Sequence, residues 1–404
     1  MVETKKRILI FSHAMELGGA ERVLLGLLEA IDTEQYDVDL FLMRHEGELL
    51  KDIPDKIHLL PEIPQYTCLA VPIKRVLKRR QIGVAFGRFL GKKKARRRRR
   101  ELDITGENDV ALEFSHKYTV AFMPEVGDGI YDVAISFLTP HYYVRDRVKA
   151  KKKIAWIHTD YSVVSVDRES QLKMWAAYDH IISISDQVTD SFLKTFPELA
   201  NKVEVLPHFM PVEYIKRKAN EEVAHELEPK ENCIKLLSIG RFCYQKNFDN
   251  VPDICRRILE TGLHVKWYLI GYGGDELIRK RIIESSMEDH VFILGKKENP
   301  YPYIKSCDVY VQPSRYEGRS VCVIEAQILG KPVVITDFPT SDSQLENGVD
   351  GIIVPLDNEG CADGIAKVLS DKALLERVQE YNKMKQYDNT PGIQRLYSLF
   401  EKNE

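Results

Sequence analysis

Residues 307–337 read CDVYVQPSRYEGRSVCVIEAQILGKPVVITD, and this stretch decides the fold. It predicts a buried strand at 308–312, a tight loop, a helix at 320–329 and a second buried strand at 333–336. Both apolar runs are short and rich in Val and Ile, which is typical of parallel strands covered on both faces. The stretch therefore predicts an α/β fold built on a parallel sheet.

Two carboxylates follow the first of these strands. Glu317 falls where the strand ends, and ligands of open α/β sheets bind outside the carboxyl ends of the strands. Glu325 comes eight residues later, about two helical turns, so both carboxylates can face one crevice. Ser320 and its neighbours offer backbone N–H groups to an anion at the predicted helix start. We therefore expect a ligand site at this edge of the sheet.

The same residues carry a family resemblance. The pattern P-S-x-x-E-G-x-S-x-x-x-x-E-A-x-x-x-G-K-P-V-V resembles the signature of retaining glycosyltransferases of the GT-B, family-4 (group 1) type. Two glutamates at this spacing arise by chance in any charged helix, whereas the whole pattern is specific. The resemblance implies an α/β protein in which two Rossmann-like, doubly wound domains face a central cleft.

The length of the chain agrees with two domains, because 404 residues exceed the usual size of a single core. We expect residues 1–210 to form an N-terminal, acceptor-binding domain. Residues 211–385 are predicted to form the C-terminal, nucleotide-sugar-binding domain. By resemblance, the last segment, 386–404, is a helix that crosses back to the N-terminal domain.

Arg241 and Lys246 lie in a predicted loop between the strand at 234–239 and the next helix. A pair of surface cations is the ordinary interpretation of such residues. The segment G-R-x-x-x-x-K-N, however, resembles the family loop whose Arg and Lys neutralise the donor diphosphate. Positive charge is needed there because charge develops on the leaving group in the transition state.

The resemblance also supplies the remaining site residues. It implies that Glu325 binds the ribose hydroxyls and that Glu317 lies against the hexose. The predicted catalytic residues are His158, Glu317, Arg241 and Lys246. The predicted donor-binding residues are Gly18, Gly19, Arg241, Lys246, Gly271, Gly318, Arg319, Ser320, Val321 and Glu325. The usual E-G-F-G loop of the family is E-G-R-S here, and Arg319 leaves the identity of the sugar open.

The N-terminal half offers two further candidates. Gly18 and Gly19 precede a predicted helix at 20–31, where they are either plain turn residues or a loop that approaches the donor phosphate. His158 ends a predicted strand at 153–158, and a histidine there is either structural or, by resemblance, in contact with the donor sugar. Asp160 either orients His158 or starts the next turn.

Residues 74–100 form a basic segment with fourteen Lys or Arg, eight of them between Lys92 and Arg100. Apolar side chains are interleaved, which suits a helix lying on an anionic membrane. A solvated face or a disordered loop is the alternative. We expect membrane docking through Lys92–Arg100 and no binding to nucleic acid, because no recognised nucleic-acid module accompanies the run.

We expect no cofactor and no required metal. Asp37 and Asp39 match a D-x-D metal motif, but they alternate inside a predicted strand rather than following one. The net charge of −3 gives no overall attraction to polyanions. The seven scattered cysteines and a four-residue apolar run near the N-terminus lead us to expect a cytoplasmic protein, attached peripherally to the inner face of the membrane.

The sequence thus favours a retaining, metal-independent glycosyltransferase. Its partners would be a nucleotide diphosphate sugar, by default a UDP-sugar, and a glycan or lipid-linked acceptor. The first alternative is a catalytically inactive nucleotide-sugar-binding or scaffold protein of the same fold. The second is a glycosidase using Glu317 and Glu325, for which a cationic diphosphate site would have no purpose.

Overall fold

A computed structural model describes residues 5–104, 108–227 and 233–401. The chain forms two compact units. Unit 1 comprises Met1–Met210 and Asn389–Glu404, and unit 2 comprises Pro211–Asp388. Each unit is built on its own parallel sheet, and the predicted fold class, two Rossmann-like α/β domains of the GT-B type, is confirmed.

The strands of the described residues fall into two sheets, the first ending with β7. They are β1 Lys6–Ser12, β2 Tyr36–Leu42, β3 His58–Leu59, β4 Tyr131–Ser136, β5 Ala150–Trp156, β6 His180–Ser183, β7 Val203–Val205, β8 Ile234–Ile239, β9 Val265–Ile270, β10 Val291–Gly295, β11 Val309–Gln312, β12 Val333–Thr336 and β13 Ile352–Val354.

The α-helices occupy the connections between the strands and the end of the chain. They are α1 Gly19–Ala30, α2 Pro64–Thr67, α3 Ile73–Lys78, α4 Ile82–Glu101, α5 Val110–Thr119, α6 Tyr142–Arg147, α7 Arg168–Trp175, α8 Asp186–Thr195, α9 Val212–Lys218, α10 Val251–Glu260, α11 Glu276–Glu284, α12 Tyr301–Ser306, α13 Val321–Ile328, α14 Ser341–Gln344, α15 Asn358–Ser370, α16 Lys372–Met384 and α17 Thr390–Glu401.

The sheet of unit 1 has the order β3-β2-β1-β4-β5-β6-β7, with every pair parallel. Strands β2 and β3 are added on one side of β1, and β4 to β7 are added on its other side. This change of direction leaves a crevice between β1 and β4 at the carboxyl ends of the strands. Residues Ile8–Phe11 of β1 are at most 2% exposed, since helices cover both faces. The carboxyl edge of β1, β4 and β5 is therefore the place in unit 1 where side chains can meet a ligand.

The sheet of unit 2 has the order β10-β9-β8-β11-β12-β13, again with every pair parallel. Here the order reverses between β8 and β11. The loops that follow these two strands therefore lie side by side. They carry the segments around Lys246 and Glu317.

Helix α17 packs within unit 1, although it follows the whole of unit 2 in the chain. The backbone N–H of Asp32 donates to the Tyr397 hydroxyl at 2.7 Å, and the rings of Tyr36 and Tyr397 lie 4.7 Å apart. Lys6 of β1 pairs with Glu401 at the end of the helix. The last helix thus completes the cover of β1 and β2.

The basic segment is helical, as α3 and α4, so the disordered-loop alternative is wrong. Small residues let α4 press against α5. A Cβ atom on Gly87 would lie 2.5 Å from the carbonyl oxygen of Tyr118, and one on Gly91 would lie 2.5 Å from that of Phe114. Ala95 continues this spacing and is 2% exposed. The opposite side of α4 faces solvent.

The Asp37-Val-Asp39 motif lies inside β2, as predicted. The Asp39 carboxylate accepts hydrogen bonds from the Tyr131 hydroxyl at 2.6 Å and from His58 Nδ1 at 2.7 Å. These contacts give Asp39 a structural role between neighbouring strands. None of the helices in the described part of the chain has both the length and the apolar character needed to span a bilayer.

Candidate active site

The loop between β11 and α13 is held in place from several sides. The Thr340 hydroxyl donates to the carbonyl oxygen of Glu317 at 2.7 Å, and the Thr336 hydroxyl donates to that of Ser314 at 2.6 Å. Arg315 makes a two-point ion pair with Asp249, at 3.0 and 2.9 Å. The backbone path between strand and helix is therefore fixed by side chains from neighbouring loops.

Glu317 is 5% exposed and is brought against Lys246. Its Oε1 accepts from Lys246 Nζ and from the Ser314 hydroxyl, each at 2.6 Å, and its Oε2 accepts from Gln245 Nε2 at 3.2 Å. The loops after β8 and β11 thus meet at this carboxylate. Two residues predicted from separate motifs form one buried ion pair.

Lys246 keeps its charge in this position. Burial alone would lower its pKa, but the carboxylate of Glu317 outweighs that effect and the pKa is raised above the ordinary lysine value. The ammonium group is therefore a fixed cation at the carboxyl edge of the sheet. Only 14% of its side chain is exposed.

Arg241, the second predicted cation of the loop after β8, is in a different state. Its side chain is exposed, and no ion pair or hydrogen bond engages its guanidinium within residues 5–104, 108–227 and 233–401. An exposed guanidinium presents five N–H donors in a geometry that suits phosphate oxygens. Arg241 is thus free to take a ligand, whereas Lys246 already holds Glu317.

Glu325 lies on α13 and is fully buried. Its Oε1 accepts a hydrogen bond from the hydroxyl of Tyr301 at 2.9 Å. Tyr301 belongs to α12, and its ring packs edge-on against Tyr214 of α9 at 6.0 Å. The carboxylate is therefore positioned by an aromatic side chain from a distant segment.

The start of α13 is shaped by Gln344. The Oε1 atom of Gln344 accepts from the backbone N–H of Ser320 at 2.6 Å, and its Nε2 donates to the Ser320 carbonyl oxygen at 3.3 Å. Ser320 is the N-cap, and no side chain caps the first turn, which begins at Val321. The backbone N–H groups after Ser320, rather than that of Ser320 itself, are thus available to an anion.

Gly271 and Arg319 each have a structural explanation as well. A Cβ atom on Gly271 would overlap the carbonyl oxygen of Gly240, so a glycine is required where the loops after β8 and β9 approach. Arg319 and Gly318 lie in the loop before α13, both partly exposed. Burial lowers the pKa of the Arg319 guanidinium, and the carboxylate of Asp350 partly offsets that effect.

His158 lies two residues beyond the end of β5, at the carboxyl edge of unit 1. Its ring contacts Phe137, with centroids 4.7 Å apart, and its Nε2 is buried with no hydrogen-bond partner among the described residues. Burial lowers its pKa to about 4, so the imidazole is neutral near pH 7. Asp160 does not orient it, because that carboxylate accepts from the backbone N–H and hydroxyl of Ser162.

Three further histidines, which belong to no motif found in the sequence, gather at the same edge of unit 1. They are His13, His116 and His141. The rings of His13 and His116 lie 5.7 Å apart, and Ser136 at the end of β4 bonds His141 Nδ1 at 2.8 Å. Burial lowers the pKa of all three, that of His13 to about 4. The edge is therefore lined by neutral imidazoles.

Gly18 and Gly19 mark the start of α1, with Gly18 as the N-cap. A Cβ atom on Gly18 would lie 2.0 Å from Oε2 of Glu21, so the carboxylate of Glu21 packs closely against this glycine. Gly18 has a φ of −112°, which any residue adopts. Its value therefore lies in close backbone approach rather than in an unusual conformation.

Comparison with known families decides what this arrangement is. Residues 219–385 match the family model described as glycosyl transferases group 1. The resemblance predicted from the sequence is confirmed. This part of the chain matches the group 1 glycosyltransferase family, and we call it the group 1 domain. The matched residues include every site residue predicted in unit 2.

Relatives of the group 1 domain carry transferase names. The chain is 21% identical over 367 residues to an Escherichia coli UDP-Gal:α-D-GlcNAc-diphosphoundecaprenol α-1,3-galactosyltransferase, covering 89% of this chain and 86% of that one. It is 31% identical over 200 residues to a Campylobacter jejuni N-acetylgalactosaminyltransferase whose name specifies a diphospho-undecaprenol substrate. That match covers 48% of this chain and about half, 52%, of the relative.

The whole fold also has solved counterparts. Anabaena HepE in complex with UDP and glucose matches with a TM-score of 0.66 at 14% identity, covering 97% of this chain and 98% of that one. At this identity the similarity concerns the fold alone. It extends through both Rossmann-like units.

Within the group 1 domain, the structure brings Lys246 and Glu317 into contact and holds Glu325 on the helix that follows. Four positioning residues escaped the sequence analysis: Tyr301, Gln344, Gln245 and Ser314. Tyr301 and Gln344 come from elements outside the motif, so no local spacing pointed to them. Gln245 and Ser314 lie inside the two motifs and could have been found as donors beside a buried carboxylate. The ligand-binding roles of all these residues stay predictions.

Among the residues that the structure describes, no group of three or more His, Cys, Asp or Glu side chains could hold a metal ion. The charged side chains after β8 and β11 include those of Lys246, Glu317 and Arg241.

Proposed function

We propose that the protein is a retaining hexosyltransferase that uses a nucleotide diphosphate sugar, specifically a UDP-sugar. Its acceptor is a hydroxyl of a lipid-linked or cell-envelope glycan. The observation that carries the proposal is the meeting of Lys246 and Glu317 at the carboxyl edge of β8 and β11 in a group 1 domain. The names of the E. coli and C. jejuni relatives support a diphosphate-linked lipid acceptor, and HepE supports UDP.

The donor's charges fit the charges of this edge. Exposed Arg241 and the fixed ammonium of Lys246 neutralise the diphosphate, with the uncapped N–H groups at the start of α13 beside them. The buried carboxylate of Glu325 accepts hydrogen bonds from the ribose hydroxyls. Glu317 lies against the hexose. In unit 1, the neutral imidazole of His158 keeps its proposed catalytic role.

The reaction needs no covalent enzyme intermediate. The acceptor oxygen forms its bond to the anomeric carbon on the face from which the diphosphate leaves, so the configuration is retained. The bond between the anomeric carbon and the diphosphate oxygen breaks, and that oxygen takes the acceptor's proton. Arg241 and Lys246 stabilise the charge that develops on the leaving group. Because these two side chains supply the positive charge, no metal ion is required.

The protein works at the inner face of the membrane, where a lipid-linked acceptor is found, and α4 attaches it there. On the exposed side of this helix, apolar and basic residues follow one another at three- and four-residue spacing. They are Ile82, Phe86, Phe89, Lys93, Arg96 and Arg100. At about 100° per residue they fall within about 40° of one line. We name these six residues the α4 stripe.

The α4 stripe has the composition of a peripheral membrane anchor. Ile82, Phe86 and Phe89 are 70%, 56% and 61% exposed, which is unusual for large apolar side chains lying together on one helix. The three cations that follow match an anionic lipid surface, at about 1 kcal/mol each. Charge and apolar area therefore favour one occupant, an anionic bilayer.

A panel of nucleotide diphosphates and their sugars tests the proposal. Thermal unfolding is measured with each compound, with and without EDTA. A ligand at about 100 times its Kd stabilises the native state by about 2.7 kcal/mol. We expect UDP and one UDP-sugar to raise the melting temperature, and EDTA to make no difference. Arg241→Gln serves as the matched variant and should abolish the shift.

Other outcomes lead to other conclusions. A rise in melting temperature with a nucleotide diphosphate of another base contradicts the UDP assignment. A rise that EDTA removes contradicts metal independence. If nucleotides bind but no sugar is transferred to diphosphate-linked acceptors, the protein is the inactive, nucleotide-sugar-binding alternative.

A further inference from the structure

Unit 1 contains a cavity of about 330 Å³ between α4, α5 and the start of α7. Four lining residues come from α4, three from α5 and four from the segment 167–173. The volume lies at the lower end of the range for small-molecule sites. The exposed side chains of Lys94, Arg97 and Lys173 are part of the lining, so the cavity is open to solvent.

The cavity follows from how α4 meets α5. Gly87, Gly91 and Ala95 form the contact side of α4 and hold the two helices close. Lys94, Arg97, Arg98 and Glu101 lie on the adjacent side, which turns toward α7. Because these long side chains lie beside the close contact of α4 with α5, a gap remains next to that contact, and the ends of the side chains line it. At about 100° per residue, the mean direction of these four residues lies about 110° from the line of the α4 stripe, just under a third of a turn.

The lining is rich in positive charge. Five of its side chains are Lys or Arg and three are Asp or Glu, which gives a net charge of +2. Beneath the lining lies Glu113, which is fully buried and bonded to Ser170. Burial raises the pKa of this carboxyl. The cavity therefore attracts an anion.

Two of the cations are not neutralised by a carboxylate contact. Lys94 has no ion pair or hydrogen bond within the described residues. Lys117 Nζ donates to the Ser170 hydroxyl at 2.7 Å and lies 5.2 Å from the centre of the Phe114 ring. Both ammonium groups keep donors for a ligand.

The other cations are paired to different degrees. Arg98 Nε is anchored to Asp167 at 2.6 Å, and that carboxylate also accepts from the Ser170 N–H at the start of α7. The pairs of Arg97 with Glu101 and of Lys173 with Glu169 involve exposed side chains of adjacent helical turns. Such surface pairs contribute at most about 1 kcal/mol, so an anion with higher charge competes with them.

We propose that this cavity binds a phosphate group that is attached to a polar, sugar-like headgroup. The phosphate of such a headgroup is an anion whose unesterified oxygens are strong acceptors, which suits the ammonium groups of Lys94 and Lys117 because no carboxylate of the described residues contacts either of them. Phe114 and Tyr118 add ring surface for the rest of the headgroup. The phosphate comes from the diphosphate of a lipid-linked acceptor or from a membrane phospholipid, and the first source rests on the function proposed above.

The neighbouring α4 stripe supports both sources. Lys93 of the stripe and Lys94 of the cavity are consecutive residues of one helix. If the stripe lies on a bilayer, the cavity opens beside the layer in which lipid phosphates lie. A headgroup could therefore enter without leaving the membrane surface.

Lysine footprinting provides the first test. The full chain is acylated with and without inorganic pyrophosphate, and each lysine is followed by mass spectrometry. A saturating nucleotide diphosphate occupies the donor site throughout. We expect pyrophosphate to protect Lys94 and Lys117 but not Lys92 or Lys93. The proposal is overturned if neither pyrophosphate nor anionic vesicles change the labelling of Lys94 relative to that of Lys92 and Lys93.

A pair of double variants provides the second test. Lys94→Gln/Lys117→Gln removes the two cations that no carboxylate of the described residues contacts, whereas Lys92→Gln/Arg99→Gln removes two cations of α4 outside both the cavity and the stripe. With a diphosphate-linked acceptor, the first should raise KM for the acceptor about tenfold and leave KM for the nucleotide sugar unchanged. The control should leave both constants unchanged. An unchanged acceptor KM in the first variant removes the acceptor as the source.

These measurements distinguish the two sources of the phosphate. They also distinguish the cavity proposal from the proposed function. Protection by phosphatidylglycerol vesicles but not by pyrophosphate assigns the site to a phospholipid headgroup. Protection by pyrophosphate together with the KM change assigns it to the acceptor. If no nucleotide binds, the proposed function fails, while the protection of Lys94 still decides whether the cavity holds phosphate.

Discussion

The two carboxylates of the group 1 motif are equally buried but differ in their partners. Glu317 is held by a cation, whereas the Oε1 of Glu325 is held by the neutral hydroxyl of Tyr301. A buried carboxylate bonded to a neutral donor retains strong acceptor capacity for a ligand's hydroxyl groups. Glu317, by contrast, already accepts a hydrogen bond from Lys246, so less of its acceptor capacity is left for a ligand. The difference leads to separate predictions for the two residues.

Replacing Glu325 with Gln should weaken binding of UDP about tenfold to hundredfold. The reason is that hydrogen bonds to a charged acceptor contribute about 1.5–3 kcal/mol, and the amide removes that charge. Isothermal titration with UDP measures the change. Tyr301→Phe is the matched control, because it removes only the positioning hydroxyl and should cost less. A Glu325→Gln variant with the affinity of the original chain would exclude this carboxylate from the donor site.

Lys246→Met should lower the stability of unit 2 by about 3 kcal/mol, because the Glu317 carboxylate is then buried without its counter-ion. Adding Glu317→Gln to the same chain should restore most of the loss. Urea unfolding followed by Trp267 fluorescence, with Trp156 and Trp175 replaced by Phe, reports on unit 2 alone. If the single and double variants unfold at the same urea concentration, the pair does not stabilise the domain.

Among individual residues, the sequence pointed to the charged candidates for the site. It did not point to the side chains that position them. Glu317, Glu325, Arg241 and Lys246 stand in motifs with fixed spacing, so a single sequence reveals them. Tyr301 and Gln344 reach the site only because α12 and α14 fold beside α13. Such contacts depend on packing between distant segments, and no local pattern records them.

Among the elements, the long apolar strands were predictable and the shortest strand was not. Strands β8 and β12 have the bounds that the apolar runs predict. Strand β3 consists of His58 and Leu59 alone, and two residues cannot establish an alternation. For the basic segment, the sequence predicted a helix as one interpretation, beside a solvated face and a disordered loop. The spacing of Gly87, Gly91 and Ala95 was the signal for a helix packed closely against another.

The α4 stripe gives a prediction for membrane binding. Lys93→Gln/Arg96→Gln/Arg100→Gln should lower partitioning to anionic vesicles about hundredfold, since three basic residues contribute about 1 kcal/mol each. Vesicle sedimentation measures it, and nucleotide binding should stay unchanged. Replacing three exposed lysines elsewhere in unit 1, Lys51, Lys149 and Lys194, is the charge-matched control. If both triple variants sediment alike, the stripe is not the anchor.

The apolar half of the stripe should act independently of salt. Phe86→Ser/Phe89→Ser removes two exposed rings but no charge. Vesicle binding should therefore fall at both low and high ionic strength, because burial of apolar surface is not screened. In the charge variant, the loss should shrink as salt rises. Binding by the serine variant that equals that of the original chain would assign attachment to charge alone.

For the molecule as a whole, the buried histidines of unit 1 make stability depend on pH. The pKa of His13 and of His158 is about 4 in the folded chain, against about 6.5 when unfolded. Unfolding therefore takes up protons between these values. The stabilising effect is fully present above pH 6.5 and is lost as pH falls toward 4. Each such histidine adds a slope of about 1.4 kcal/mol per pH unit.

We expect unit 1 to lose stability steeply between pH 6.5 and 4.5. Fluorescence of Trp156 and Trp175 in a Trp267→Phe chain reports this unit. His13→Gln should reduce the slope by about 1.4 kcal/mol per pH unit, because one proton fewer is taken up. His45→Gln is the control, since His45 lies outside the buried group. If His13→Gln leaves the dependence of the unfolding free energy on pH unchanged, the pKa of His13 is the same in the folded and the unfolded chain.

Helix α17 has a consequence for how the chain is made. Unit 2 is a continuous stretch, Pro211–Asp388, whereas unit 1 is completed by residues from Asn389 onward. During synthesis, therefore, all of unit 2 leaves the ribosome before the helix that covers Tyr36 and β1. The nascent chain holds a nearly finished first unit with an open apolar face while the second unit folds. The residues of unit 1 that α17 covers are therefore the last of that unit to be buried.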